Sequence, residues 1–411
     1  MSDAPNSRSI SAGPDDGQRQ ALSEHTADWS CYTTPPRETL EKVEAARGKC
    51  PVAWSDEHEG FYMLLGYKDV RKAMSDYRTF SSEPQALRPM LPRKPIPALD
   101  MDPPRHGEWR KIFNSAVTPE TAGQMEAFVR SDVRRHIDRF KSLGRCDIVK
   151  ELAEPVPAET ICHLVGVDED KAPAIQKAAI AMFEAQGDPD EFGLRQAAFA
   201  ELTVSEVHER RARPREDFLT SLAGVEVEGR PLDDNDYVVL LAAFLGAGHH
   251  STTSAIASMV SEIFSRPELP DLLRREPDKI DIAIEEVLRL RPPFFGFYRR
   301  VRKPVEIGGV AMAPGQDVYM GWAAANRDPE LFPCPAEFRM DRESYRHFSF
   351  GFGIHICPGA SLARMELKVV LEELLRTFPD LRVEGPVPDY AFGGGDYNCL
   401  PALQVSFTPA K

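Results

Sequence analysis

The stretch from Phe350 to Lys368 constrains this chain more than any other. It reads Phe-Gly-Phe-Gly-Ile-His-Ile-Cys-Pro-Gly-Ala and then passes into helical spacing, with Leu367, Val370, Leu371 and Leu374 recurring on one face. Phe350, Gly353, Cys357 and Gly359 carry the pattern. The two glycines are expected at backbone turns that a side chain would block. Pro358 has no N–H to donate and suits the first turn of a helix. Cys357 is therefore expected at the end of a tight loop and at a helix N-terminus. There the helix dipole and free backbone N–H groups favour a thiolate over a thiol.

A thiolate in a donor-rich loop is the axial ligand that a haem iron needs when it must push electron density onto bound oxygen. Phe350-x-x-Gly353-x-x-x-Cys357-x-Gly359 resembles the haem-ligand loop of the cytochromes P450, the haem-thiolate monooxygenases. The likeness runs from about Trp54 to Val405, and the segment Asp76-Tyr77-Arg78-Thr79-Phe80-Ser81-Ser82-Glu83 resembles the camphor-hydroxylase branch of the soluble bacterial members. The resemblance implies a mainly α fold with small β-sheets, a single large domain, and haem b held by Cys357. It also implies use of O2 and of electrons from NAD(P)H.

Composition narrows the setting. The 411 residues are 42% hydrophobic and 28% charged, a globular balance with an ample core. No Gly/Ser-rich linker or internal repeat divides the chain, so we expect a disordered tail over residues 1–25 and one domain over residues 26–411. A net charge of −14 offers no basic field for nucleic acid. The seven cysteines, at 31, 50, 146, 162, 334, 357 and 399, lack C-x-x-C spacing and fit a reducing cytoplasm. The polar first 30 residues resemble neither signal peptide nor anchor, and the longest uncharged apolar run, Tyr237 to Gly248, is too short to span a bilayer. A soluble cytoplasmic protein with no membrane partner is the expectation.

Local signals place the elements. Helices are expected over Thr39–Arg47, Tyr67–Ser75, most of 119–208 with breaks near Pro155, Gly166 and Gly187, Pro231–Val260, and Pro277–Leu290. Phe61–Leu65 reads as a strand ending at Gly66. Prolines at 84, 89, 92, 95 and 97 forbid regular structure after Phe80, which points to a lid or binding loop. Asp102-Pro103-Pro104-Arg105-His106 opens a further helix, with His106 and Arg110 on one face. The acidic run Asp233-Asp234-Asn235-Asp236 suits a helix start. Gly308-Gly309 reads as the turn of a hairpin over Val305–Val310.

The resemblance also assigns roles. Glu286 and Arg289, three apart on one helix face, would form a structural triad with Arg342 that braces the haem loop. His106, Arg110, Arg299 and His355 would clamp the haem propionates, which need cationic or hydrogen-bonding partners when buried. In the oxygen-activating helix the family pattern Ala-Gly-x-acid-Thr-Thr becomes Ala247-Gly248-His249-His250-Ser251-Thr252. Gly248 would leave room for oxygen, Ser251 would donate a hydrogen bond to it, and His250 would replace the proton-relaying carboxylate or point away. Phe295 and Phe297 are the expected substrate contacts, with aromatic lining favouring a compact apolar molecule. Arg88, and beside it Arg93 and Lys94, would either hold an anionic group or be solvated.

No flavin or nicotinamide segment accompanies these motifs, so a separate ferredoxin and ferredoxin reductase are the expected electron donors. Arg105, Arg110, Lys111, Arg346, Arg364 and Lys368 would form a basic patch for an acidic donor. Two other readings stay open: peroxide-driven oxidation or oxidative coupling at the same haem, and a non-catalytic haem sensor, for which the chain offers no output module.

Overall fold

The computed structural model describes residues 14–30, 33–88, 90, 93–185, 188–392 and 397–410. Its first helices are α1 (Asp16–Ser23), α2 (Pro36–Arg47), α3 (Tyr67–Ser75), α4 (Arg105–Ala116), α5 (Pro119–Phe140), α6 (Pro155–Val165), α7 (Ala172–Glu184) and α8 (Pro189–Ala212). After a short α9 (Phe218–Ser221) come α10 (Asp234–Phe264), α11 (Glu268–Arg275), α12 (Ile280–Leu290), α13 (Trp322–Ala325) and α14 (Ala360–Thr377). Helix dominates and the sheets are small, as the sequence led us to expect.

The sequence signals act as local physics requires. Asp233 caps α10: its carboxylate accepts from Asp236 N at 2.9 Å while its own N–H donates to the Asp236 carboxylate at 2.9 Å. Gly166 ends α6 in the left-handed conformation at φ +89°. Gly308 and Gly309 turn the hairpin between Val305–Ile307 and Val310–Met312, both at positive φ, as a two-residue turn of this hand needs. The break expected at Gly187 lies outside the described residues.

The N-terminal expectation needs correction. Residues 1–13 lie outside the described residues, but Asp16–Ser23 is helical, not disordered. Asp15 caps it, Leu22 is buried, and Arg19 pairs with Asp56 at 2.6 Å. Polar composition hid a helix that one buried leucine and a distant ion pair hold in place.

The main core lies where α5, α10, α12 and α14 meet, around Val133, Val260, Ile263, Val287, Leu371 and Leu374. A five-stranded sheet stands beside it, in the order Val52–Ser55, Phe61–Leu64, Asp317–Gly321, Gly296–Val301, Phe80–Ser81. Its Phe61–Leu64 and Asp317–Gly321 strands run parallel, and its other pairings are antiparallel. No helix among the described residues is long and apolar enough to cross a membrane.

Candidate active site

The loop before α14 presents Cys357 to an internal cavity. Gly353 sits at φ +71°, and a Cβ there would lie 2.6 Å from the Met74 carbonyl, so both conformation and space demand glycine. Gly359 instead has φ −79°, an ordinary value, which corrects the expectation of a turn there. A Cβ at that position would lie 3.9 Å from Cys357 Sγ, an ordinary contact, so space alone does not demand glycine there. Cys357 N donates to the Phe350 carbonyl at 2.7 Å and closes the loop. The sulfur is accessible from the cavity although protein encloses it from bulk solvent.

That enclosure matters for its charge. Burial pushes the Cys357 thiol above its ordinary pKa, and the Gly359 backbone, Arg110 and Arg364 only partly offset this. The expected thiolate belongs to the haem-bound protein, where a metal cation at the sulfur favours the ionised form. Ionisation here awaits a cation at the sulfur.

Glu286, Arg289 and Arg342 form the expected brace. Arg289 donates to both Glu286 oxygens at 2.7 and 2.8 Å, and Arg342 adds a bond at 2.9 Å. Glu286 and Arg289 have no exposed side-chain surface, so every lone pair and proton needs a partner. Arg289 also bonds the carbonyls of Asn326, Pro335 and Glu337, and Arg342 those of Pro333, Cys334 and Glu337. The triad thereby stitches α12 to the segment leading into the cysteine loop.

The cavity has a volume of about 310 Å³. The strand Gly296–Val301 sends Phe297 and Arg299 to it, two residues apart on one face. Arg299 is fully buried and donates to the Tyr298 carbonyl at 2.7 Å, with no carboxylate ion pair among the described residues. Burial draws its pKa down to about 10 despite Asp102 and Asp100 nearby. Arg110 lines the same space and donates through Nε to Asn114 at 2.8 Å.

His106 Nε2 is buried without a partner, and its ring meets that of His355 edge-on at 4.6 Å. His355 uses both ring nitrogens, on Ala98 O and Ser82 Oγ at 2.9 Å each. Burial, with Arg299 and His106 beside it, pushes His355 down to about 2, so the ring is neutral. Arg110, Arg299 and the Cys357 sulfur face one cavity, and His106, against His355, has a buried nitrogen without a partner; this set fits an anionic metal macrocycle. These four side chains are brought together as expected, although His355 must release Ser82 before it can bond a propionate.

In the oxygen helix Gly248, His250, Ser251 and Thr252 all line the cavity. A Cβ on Gly248 would meet the Ile161 side chain at 2.8 Å, so the glycine admits α6 against α10, and the residue itself lines the cavity. Ser251 Oγ donates to the Ala247 carbonyl at 2.7 Å, which commits its only proton and leaves the oxygen as an acceptor. His250 does line the cavity, beside Tyr397 at 4.9 Å and Phe183 at 5.5 Å. Burial draws it down to about 3, with its ring toward the Gly246 carbonyl, so it is a neutral wall residue and not a charged acid. Thr252 is buried and lines the cavity.

Two substrate expectations fail. Arg88 is buried against Asp317 at 2.6 Å and bonds the Gln85 and Leu87 carbonyls, so its charge is consumed away from the cavity. Arg93 is likewise spent on buried Asp100, and Lys94 is exposed. Phe295 is buried outside the cavity, whereas Phe294 lines it. The strand alternation begins only at Gly296, and Phe294 is turned inward by an isolated bridge to Tyr397.

Sequence reasoning missed Glu366. It lines the cavity from α14, fully enclosed, with Oε2 unpartnered. Burial raises its pKa well above the ordinary value, so it carries a proton. Its signal was present: an acid four residues after Leu362 and four before Val370, on the apolar face of a helix.

The proposed basic patch is mostly spent. Arg105 pairs with Glu228, Arg364 with Glu285 and Lys368 with Asp281, while Arg110 faces the cavity. Lys111 and Arg346 are exposed and make no ion pair among the described residues.

Comparison with known proteins agrees with this geometry. The family model described as Cytochrome P450 matches residues 194–386. The chain is 33% identical to the erythromycin C-12 hydroxylase of Saccharopolyspora erythraea, over 84% of this chain and 88% of that one. It is also 33% identical to the nocardicin C N-oxygenase of Nocardia uniformis, over 80% and 84% respectively. Among solved structures, a post-tailoring hydroxylase of himastatin biosynthesis superposes with a TM-score of 0.80 at 28% identity, covering 92% of this chain and 98% of that one.

Proposed function

The chain belongs to the cytochrome P450 family of haem-thiolate monooxygenases, and from that premise we propose that it oxidises a small or mid-sized, largely apolar molecule. One oxygen atom of O2 enters the substrate and the other leaves as water. The observation that carries the reading is the shared cavity, into which Cys357, Arg110, Arg299 and the oxygen helix all open. Electrons in this family come from NAD(P)H through redox partners, and for this chain we take a ferredoxin and its reductase as the donors. We read residues 26–411 as the haem unit. We place it in the cytoplasm, where reducing conditions keep Cys357 a free thiol.

Haem, when bound, supplies the oxygen activation and transfer. Cys357 would give up its proton and ligate the iron. Arg110, Arg299 and His106 would hold the propionates by charge-assisted bonds. Glu286, Arg289 and Arg342 keep the cysteine loop rigid. Phe294, Phe297, Phe183, Phe244 and Leu87 exclude water and hold an apolar substrate. Ser251 offers an acceptor, with Thr252 beside it, and Glu366 holds a proton at the cavity wall. Among the described residues the apolar wall of the cavity carries no cation, which argues for neutral substrates over carboxylates.

A spectral screen for compounds that displace the iron-bound water would select candidates. These would then be incubated with heavy-oxygen-labelled O2, NADH and a ferredoxin–reductase pair. The product should carry one labelled atom. Product formed only when hydrogen peroxide replaces O2 and the electron donors would overturn the proposal in favour of peroxide-driven chemistry.

A further inference from the structure

Part of the cavity wall has no regular secondary structure. Two limbs of one loop, residues 82–88 and 93–102, carry it. Leu87 lines the cavity from the first limb, and Ile96, Ala98 and Leu99 line it from the second. Prolines at 84, 95 and 97 lack the N–H that a ladder between the limbs would need. Something other than a sheet must hold them together.

Buried carboxylates supply that hold. Asp100 has no exposed side-chain surface. Its Oδ1 accepts from Ala86 N on the first limb at 2.8 Å. Its Oδ2 accepts from Ile96 N at 2.8 Å and from Arg93 Nη1 at 2.6 Å, both on its own limb. Asp100 N donates in turn to the Ile96 carbonyl at 3.0 Å, which closes a ring around Ala98. Ala98 sits at φ +60°, a conformation side chains disfavour, and its carbonyl accepts from His355 Nδ1 at 2.9 Å.

Ala86 passes the restraint on. Its carbonyl accepts from Tyr298 N at 2.8 Å, next to Phe297 on the strand Gly296–Val301. Asp102 ties only the base of the loop, where Ser82 N donates to it at 3.1 Å. Asp100 acts further out, beside the residues that line the cavity. Burying a carboxylate is costly unless it is paired and hydrogen-bonded. A neutral asparagine would close a local turn without that cost. Two acceptor oxygens and a full charge let one side chain grip three donors at once.

We propose that Asp100 is a positioning residue that sets the size preference of the cavity, by fixing the two limbs that carry Leu87, Ile96 and Leu99. The proposal rests on reading the cavity as the substrate site and deepens that reading. A ligand large enough to touch this wall gains from its being fixed beforehand, since ordering the loop on binding would oppose association. A ligand too small to reach the wall gains nothing. The pinned wall therefore suits a substrate that fills the cavity.

Azole ligands of the haem-loaded full chain test this through their absorption spectra. Imidazole and phenylimidazole share the ligating ring and differ in reach. Asp100→Asn keeps the size but accepts through one oxygen only, so the bonds from Ala86 N and Ile96 N cannot both survive. Phenylimidazole should bind this variant about tenfold more weakly, while imidazole stays within about twofold. Amide exchange in heavy water gives a second readout. The Ala86 and Ile96 amides should exchange about tenfold or more faster, with those of α5 and α14 unchanged. If Asp100→Asn does not fold, pairing it with Arg93→Gln removes the unpaired cation and decides instead. An unchanged ratio of the two azole affinities, or unchanged exchange at the two amides, would overturn the proposal. A residue that only stabilised the fold would leave that ratio where it was. Failure of both azoles to shift the spectrum of the natural chain would strike the haem reading instead, and the exchange rates would still judge the hold.

Discussion

Arg299 is a cation in deep burial whose bond is to a backbone carbonyl and which has no carboxylate ion pair among the described residues. A fold gains nothing from such an arrangement unless an anion later completes it, since an uncompensated buried charge costs stability. Arg299→Ala should therefore split two properties that a structural residue would lose together. The haem-free chain should melt at the same temperature or higher. Haem affinity should fall about ten- to a hundredfold, the loss of one charge-assisted bond worth roughly 1.5–3 kcal/mol. Lys303→Ala, two positions beyond the strand, should change neither. Calorimetry of the haem-free proteins and haem transfer to apomyoglobin read the two quantities, and equal loss of both would contradict the role. Cys357 was legible from its loop and the helix that follows, and Arg299 through the family resemblance alone. Arg88 was not, because the residue that consumes its charge, Asp317, lies far away in sequence.

Among the elements, the segment joining α13 to the cysteine loop owes its shape to buried charge and not to regular secondary structure. Glu286 accepts from Arg289, from Arg342 and from Arg339 N, so one carboxylate fixes α12 and two points of the connecting segment. Glu286→Gln keeps the size and removes the charge, leaving Arg289 buried and unpaired. The expected cost is about 3–5 kcal/mol, seen as a lower unfolding midpoint in urea. Haem loss should follow, because Cys357 then no longer sits in a fixed loop. An unchanged midpoint would contradict the brace. The elements that the sequence announced were those with their own punctuation: the Asp233 cap, the Gly308-Gly309 turn, the Gly166 stop. Helix α1 has a cap too, but its reason to persist is tertiary, through Leu22 and Asp56, and composition masked it. The start of the strand at Gly296 was equally silent. A Cβ there would strike the Met320 carbonyl at 2.1 Å, a constraint set by a strand that comes later in the chain.

At the scale of the whole molecule, four parts arrive at one cavity from distant stretches: the cysteine loop, the strand bearing Arg299, helix α4 with Arg110, and helix α10. Their convergence makes the chain a container for a haem whose iron meets sulfur on one side. The same convergence encloses Cys357, and burial raises its thiol above the ordinary pKa. Lys111 and Arg346 are exposed on a chain of overall charge −14. Everything proposed for oxygen, protons and substrate depends on which sulfur holds the iron. The reduced protein under carbon monoxide reports this in one spectrum. The natural chain should show the thiolate-ligated band, and Cys357→His should move it to the imidazole-ligated position while haem stays bound. A thiolate band that persists in Cys357→His would place the iron on another cysteine and contradict this account.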